Sequence, residues 1–217
     1  MLKNNSIDSK LLTSKVAIEN GQNNAVISDR LADYGYDADK MIEGQELLDD
    51  AESKHALQKK EYGEQFMASD ALDEALTGTN KTYSKHIKIS RIAFRNQRGV
   101  SEALQLGGRR RQTYSGWMQQ AGVFYENSLA DETIIDVLDG YGIDETVLQT
   151  ARDAVNDVSL KLAAQLKEKG EAQDATQSRD LALEKLLDWI RDYVGIAKIA
   201  LEDESQLLEI LGIVEPS

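Results

Sequence analysis

Apolar residues near the C-terminal end of the chain recur with the spacing of a helix that packs against other helices. Successive members of this set are four, three, four, three and four residues apart: Leu183, Leu187, Ile190, Val194, Ala197 and Leu201. Such spacing forms one apolar stripe along a helix and is typical of the seam of a helical bundle. Because the sequence has a single proline, Pro216, we expect helix over almost the whole chain.

The pattern occurs twice. Val16–Leu104 aligns without gaps onto Val123–Leu211, 107 residues later, and 26 of the 89 aligned positions are identical. Unrelated sequences of ordinary composition would share roughly five or six. A register kept over this length indicates two structural units of one design. We therefore predict an all-α fold made by tandem duplication of an antiparallel helical-bundle unit, the two copies being related by a pseudo-two-fold axis.

Repeat 1 comprises residues 1–107 and repeat 2 residues 108–217, and we expect the two to pack together. Each repeat is predicted to contain a helix, a short helix, two long helices and a terminal short helix. Asp37 and Asp144 are predicted to cap the first long helix of their repeats. Gly63 and Gly170 are predicted to end that helix. A single helix running through each glycine is the alternative that the pattern leaves open.

The histidines do not predict a metal centre. Helical bundles that bind two iron or manganese ions use two Glu-x-x-His pairs and further carboxylates. Glu52 and His55 form one such pair, but Ser159 and Leu162 stand at the corresponding positions of repeat 2. We expect His55 to be a partly buried seam residue. Without cysteine or a serine–histidine pattern, the sequence predicts no catalytic residue, no metal site and no cofactor.

A basic segment ends repeat 1. Between Lys81 and Arg111 there are nine lysines or arginines and one acidic residue, Glu102. Six of the nine share one side of a helix, and we call them the basic edge: Lys81, Lys85, Lys88, Arg91, Arg95 and Arg98. The corresponding positions of repeat 2 are Asp188, Asp192, Gly195, Lys198, Glu202 and Ser205. We expect the basic edge to face an acidic surface, within the fold or on a second molecule; an RNA or DNA strip is the alternative.

The remaining candidates lie at the joint between the repeats. Gly107 and Gly108 precede Arg109, Arg110 and Arg111, which could bind an anion where the next helix starts or could form a flexible joint. Three aromatic residues follow that could line a pocket between the repeats, although aromatics at helical spacing usually belong to a core: Tyr114, Trp117 and Tyr125. Such a pocket would be needed by an enzyme.

Composition narrows the range of partners. The chain has 38 acidic and 25 basic residues, a formal net charge of −13, which disfavours general binding to nucleic acid or anionic membranes. No window approaches 18 apolar residues, and the first residues lack the apolar core of a secretory signal. The absence of cysteine suits a reducing compartment. We expect a cytoplasmic protein without membrane contact.

Several short segments carry a resemblance to a known group of proteins. They are Ser115-Gly116-Trp117-Met118, Gly170-Glu171-Ala172-Gln173, Ile196–Asp203 and Gln206–Gly212. In these segments the chain resembles a family of uncharacterised all-helical bacterial proteins. The resemblance implies a cytosolic helical bundle and brings no catalytic or ligand-binding residue with it.

These observations favour a non-enzymatic interaction or scaffold protein that associates with itself through complementary charged helix edges. One alternative is a module that binds an anion or RNA through the segment Lys81–Arg111. Another is an enzyme with a pocket between the repeats.

Overall fold

The computed structural model describes residues 6–213, and within this range the chain is all-helical, without strands. Its elements, in chain order, are α1 (Ile7–Asn23), α2 (Ala25–Ala32), α3 (Ala38–Ala93), α4 (Arg98–Ala103), α5 (Tyr114–Leu129), α6 (Glu132–Asp139), α7 (Glu145–Ala200) and α8 (Ser205–Ile210). The order helix, short helix, long helix, short helix therefore occurs twice. Helices α2 and α6 have 8 residues each, α3 and α7 have 56, and α4 and α8 have 6.

The starts of the two long helices follow the predicted capping chemistry. The Asp37 carboxylate accepts a hydrogen bond from the backbone N–H of Lys40 at 3.0 Å, and that of Asp144 from Val147 at 2.8 Å. Both aspartates thus satisfy a free N–H group in the first turn of a long helix. Gly142 follows α6 with φ of 75°, a left-handed conformation that glycine adopts without steric cost.

The prediction that Gly63 and Gly170 end a helix is wrong. Helix α3 runs through Gly63 and α7 runs through Gly170. A glycine inside a helix costs only about 1 kcal/mol relative to alanine, whereas a proline would remove a hydrogen bond and clash. The flanking lysine, glutamate and glutamine residues are good helix formers, so one glycine does not interrupt the helix.

The chain forms two compact units whose boundaries differ from those of the repeats. Unit 1 comprises residues 1–62 and 171–217, and unit 2 comprises residues 63–170. Each unit therefore contains residues of both repeats. Helix α3 supplies its first part to unit 1 and its second part to unit 2, and α7 does so in the opposite order.

The core of each unit likewise combines the two repeats. In unit 1, apolar residues of α1, α2 and the start of α3, such as Ile18 and Leu48, pack with Trp189 and Tyr193 of α7. In unit 2, apolar residues of α5, α6 and the start of α7 pack with the end of α3. The seam residues of repeat 2 lie in the core of unit 1. At the corresponding positions of repeat 1, Leu76, Tyr83, Ile87 and Phe94 lie in the core of unit 2 and Ser90 is buried, whereas Asn80 is exposed.

Candidate functional site

The segment of α3 from Gly78 to Ser84, in which the polar Asn80 stands at the position of Leu187 in repeat 2, lies beside two cavities of unit 2. The first has a volume of about 520 Å³, and we call it the arginine cavity. Its wall contains residues of both repeats: Leu76, Asn80 and Ser84 from α3, and Arg110, Arg111, Gln112, Tyr114 and Trp117 from the start of α5 and the segment before it. Two of the three aromatic residues predicted to line a pocket, Tyr114 and Trp117, are therefore placed at this cavity.

Trp117 is fixed in the wall of the arginine cavity by α3. Its indole Nε1–H donates a hydrogen bond to the Asn80 Oδ1 at 2.9 Å. The indole ring also meets the buried ring of Tyr83 edge-to-face, with centroids 6.2 Å apart and planes at 86°. Buried indole N–H groups usually have an acceptor, and Asn80 supplies one here, which an apolar seam residue could not.

Arg110 connects the segment between α4 and α5 to α3 through hydrogen bonds. Its guanidinium donates to the Tyr83 hydroxyl at 3.0 Å and to the backbone oxygens of Gln105 and Gly107 at 2.8 and 2.6 Å. Its Nε is buried and has no hydrogen-bond partner among the described residues. Gln105 itself has φ of 50°, in the left-handed region. The arginine thus holds a strained turn and is surrounded by neutral oxygens rather than by a carboxylate.

Arg111 lies against the first turn of α5. Its backbone N–H donates to the Gln120 Oε1 at 2.8 Å, and its guanidinium contacts the side-chain oxygen of Gln119. Thr113 caps α5, because its hydroxyl accepts a hydrogen bond from the N–H of Gly116 at 3.2 Å. A Cβ at Gly116 would lie 2.9 Å from the Arg111 side chain. Glycine at this position therefore lets Arg111 pack closely on the helix.

The second cavity, which we call the threonine cavity, lies between α3 and α7 and has a volume of about 430 Å³. Four threonines line it together with glutamate, valine and small residues: Thr79, Thr82, Thr146 and Thr150. Sequence analysis did not predict it. The available signal was the alignment of the repeats, since Trp189 and Leu186 of repeat 2 correspond to Thr82 and Thr79.

Tyr125, the third predicted pocket residue, instead lies in the core of unit 2. It is fully buried, and its hydroxyl lies 3.1 Å from the Nδ1 of His86. Burial raises the pKa of the Tyr125 hydroxyl far above its usual range. Burial, with a smaller contribution from the charge of Lys85, lowers the pKa of His86 below 6.5. The pair is therefore neutral at pH 7 and acts as a buried polar contact.

All six residues of the basic edge are exposed, but the prediction that they share one helix is wrong. Lys81, Lys85, Lys88 and Arg91 lie on α3, which ends at Ala93, whereas Arg95 lies in the following turn and Arg98 begins α4. Arg91 is partly engaged, because its guanidinium donates to the backbone oxygens of Leu106 and Gly108 at 2.7 and 3.3 Å. Arg109 is also exposed. Among the described residues, no carboxylate lies within 4.0 Å of the basic edge or of Arg109, Arg110 and Arg111. The basic edge therefore has no acidic partner within the described fold.

His55 lies on the inner side of α3 in unit 1, as the seam interpretation expects. Its Nε2 is 3.1 Å from the Asp8 Oδ1, and the ammonium group of Lys59 is 3.0 Å from the same oxygen. Hydrogen bonds from Lys59 and then His55 lower the pKa of the Asp8 carboxyl. His55 and Lys59 of α3 thus both bind Asp8 of α1, and this contact between two helices gives His55 a structural role.

No family model, curated protein or solved structure has a significant match to this chain. The resemblance to a bacterial helical family thus stays an expectation, and function has to follow from the residues described above. None of the helices between residues 6 and 213 contains a segment long and apolar enough to cross a lipid bilayer.

Proposed function

We propose that this chain is a non-enzymatic helical interaction protein of the cytoplasm, a tandem duplication with pseudo-two-fold symmetry. Its basic edge binds the acidic edge of a second copy, which we define as Asp188, Asp192 and Glu202. The observation that carries the proposal is the basic edge itself, with six exposed cations that have no carboxylate within 4.0 Å among the described residues.

Charge complementarity identifies the second copy as the partner. The acidic edge occupies the positions of repeat 2 that correspond to Lys81, Lys85 and Arg95, and its three residues are exposed. One of them, Asp188, forms an ion pair with Arg191 of its own helix at 2.8 Å, and both side chains are more than half exposed. Exposed ion pairs are worth about 0–1 kcal/mol each. Several together favour a defined orientation and a weak, salt-sensitive association.

The aromatic residues next to the basic edge argue against nucleic acid as the partner. Single-stranded nucleic acids bind to basic grooves that also present aromatic rings for base stacking. The aromatic rings beside the basic edge, Tyr83 and Phe94, are each 1% exposed. They belong to the core of unit 2 and offer no stacking surface.

Sedimentation velocity at low and high salt tests the proposal. At about 50 mM NaCl we expect an average mass above that of the monomer, and at about 500 mM NaCl the monomer, because the Debye length shortens several-fold. The double variant Lys85→Glu/Lys88→Glu should be monomeric at both concentrations. A matched control, Lys161→Glu/Lys169→Glu, makes the same change of charge on α7 and should behave as the wild type.

Mixing two variants tests the pairing of the edges directly. Asp188→Lys/Asp192→Lys should be monomeric alone and should form a complex with Lys85→Glu/Lys88→Glu at low salt. A wild-type chain that is monomeric at low salt, or a mixture that forms no complex, contradicts the proposal. A low-salt gel shift with RNA that Lys85→Glu/Lys88→Glu abolishes, without self-association, would replace the second copy by nucleic acid as the partner.

A further inference from the structure

We propose that the arginine cavity of unit 2 binds a small ligand in which a planar aromatic ring carries an anionic group, as in a nucleoside monophosphate or an aromatic carboxylate. This site is separate from the basic edge and does not depend on self-association. Its volume of about 520 Å³ falls within the range of small-molecule sites in proteins.

The positive charge of the cavity has no acidic partner within 4.0 Å among residues 6–213. Arg110 and Arg111 both line it, and the acceptors of their guanidinium groups are the Tyr83 hydroxyl, backbone oxygens and the Gln119 amide oxygen. All of these are neutral. Guanidinium groups bind phosphate and carboxylate strongly because their N–H donors form charge-assisted, often paired hydrogen bonds. Two guanidiniums in one cavity wall therefore favour an anionic ligand group.

The rest of the wall suits a planar ring. Tyr114 is 45% exposed, and Trp117 is held in place by its hydrogen bond to Asn80. That bond uses the oxygen of the Asn80 carboxamide. Among the described residues, the Asn80 NH₂ group makes no hydrogen bond. It can donate to a ring nitrogen or oxygen of a ligand, and Ser84 and Gln112 offer further polar groups on the same wall.

The corresponding place in unit 1 lacks this chemistry. Leu187 stands at the position of Asn80, and Ile7 at the position of Tyr114. Both pack against the apolar core of unit 1. The polar and aromatic lining therefore belongs to unit 2 alone, and Asn80 supplies a polar group at the seam position that borders the cavity.

Titration of the ¹⁵N-labelled protein with adenosine monophosphate and with 4-hydroxybenzoate tests the site. The indole N–H resonances of Trp117 and Trp189 are the readout, and Trp189 lies in the other unit. We expect at least one of the two probes to shift the Trp117 resonance and leave that of Trp189 in place. For that probe, the uncharged analogue, adenosine or phenol, should bind about tenfold more weakly, and inorganic phosphate should not reproduce the shift.

Matched variants locate the binding. Arg111→Gln should weaken binding about tenfold, whereas Arg109→Gln, which removes the same charge outside the cavity wall, should leave the affinity within about twofold. Asn80→Leu, which introduces the residue found in repeat 2, should abolish the Trp117 shift, while the other amide resonances show that the chain remains folded. The proposal is overturned if neither probe moves the Trp117 resonance at 5 mM, or if Arg111→Gln and Arg109→Gln have equal effects.

Discussion

Unit 1 and unit 2 fill the space between α3 and α7 in opposite ways. In unit 1 the indole of Trp189 lies directly on Gly44, where an added Cβ would be 2.4 Å from the ring. The same indole stacks on Tyr193 with planes at 14° and meets the edge of Tyr36 at 71°. In unit 2 the corresponding pair is Thr82 and Ala151, and both line the threonine cavity. One helical framework thus accommodates a filled space and an open one.

The aromatic residues of unit 2 lie on a different helix. Helix α5 contributes Trp117, Phe124 and Tyr125, which gather around Tyr83 of α3. The corresponding residues of α1 are Lys10, Ala17 and Ile18. Large side chains therefore pack between α3 and α7 in unit 1, and between α3 and α5 in unit 2. Because the large side chains of unit 2 pack between α3 and α5, smaller residues of α3 border both cavities. Thr79 and Thr82 line the threonine cavity, and Asn80 and Ser84 line the arginine cavity.

Exchanging the residues at positions 82 and 189 should give the largest effect. Trp189→Thr removes a ring that is 6% exposed and packed on three residues, and we expect a loss of about 3–5 kcal/mol in the free energy of unfolding. Thr82→Trp places a ring at a cavity and should change stability by about 1 kcal/mol or less. Chemical denaturation with circular dichroism measures both. Equal losses in the two variants would show that the threonine cavity is not available to a side chain.

Adding one methyl group tests the close contact at Gly44. Gly44→Ala forces the indole of Trp189 to move, and we expect a loss of about 1–3 kcal/mol even though alanine is the better helix former. Gly78→Ala, on the same helix in the wall of the threonine cavity, meets no atom within 4 Å and should stabilise the protein by about 0.5–1 kcal/mol. If both variants are stabilised, Trp189 is not held against Gly44.

The smallest effect should be the pH dependence of stability that comes from His86. This histidine is found in unit 2 only, since Tyr193 stands at the corresponding position in unit 1. Burial, and to a lesser extent Lys85, lowers the pKa of folded His86 below 6.5. The unfolded chain therefore takes up a proton first as the pH falls. Stability is complete above about pH 6.5 and decreases below it. Unfolding free energies at pH 7.5 and 5.5 should differ less in His86→Gln than in the wild type; equal differences would contradict the assignment.

The helix caps and turns could be predicted from the sequence, but which helices pack against one another could not. The caps at Asp37 and Asp144 and the turn at Gly142 depend on residues close in the chain. A seam, however, shows which face of a helix is apolar and not which helix covers it. Both repeats carry a seam at corresponding positions, so the sequence near Gly63 and Gly170 does not show that each long helix passes from one unit to the other.

The residue types of the candidate site could also be predicted from the sequence, whereas the contacts between them could not. Tyr114, Trp117 and the arginines of the joint could be singled out by type, and the structure places Arg110, Arg111 and both aromatic residues at one cavity. The contact between Trp117 and Asn80 spans 37 residues of sequence and depends on how α5 lies against α3. Tyr125 belongs to the core of unit 2 and not to the cavity wall. Helical spacing alone does not distinguish these two positions, because the result depends on which helices pack around α5.

The passage of α3 and α7 through both units has a consequence for the history of the chain. A polypeptide ending at residue 107 would carry only part of the apolar residues of each core and could complete neither alone. Two such polypeptides that exchanged their long helices would complete both. Under the duplication proposed above, we expect the ancestor to have been an intertwined homodimer whose two copies were later joined by the segment that now holds Arg109, Arg110 and Arg111.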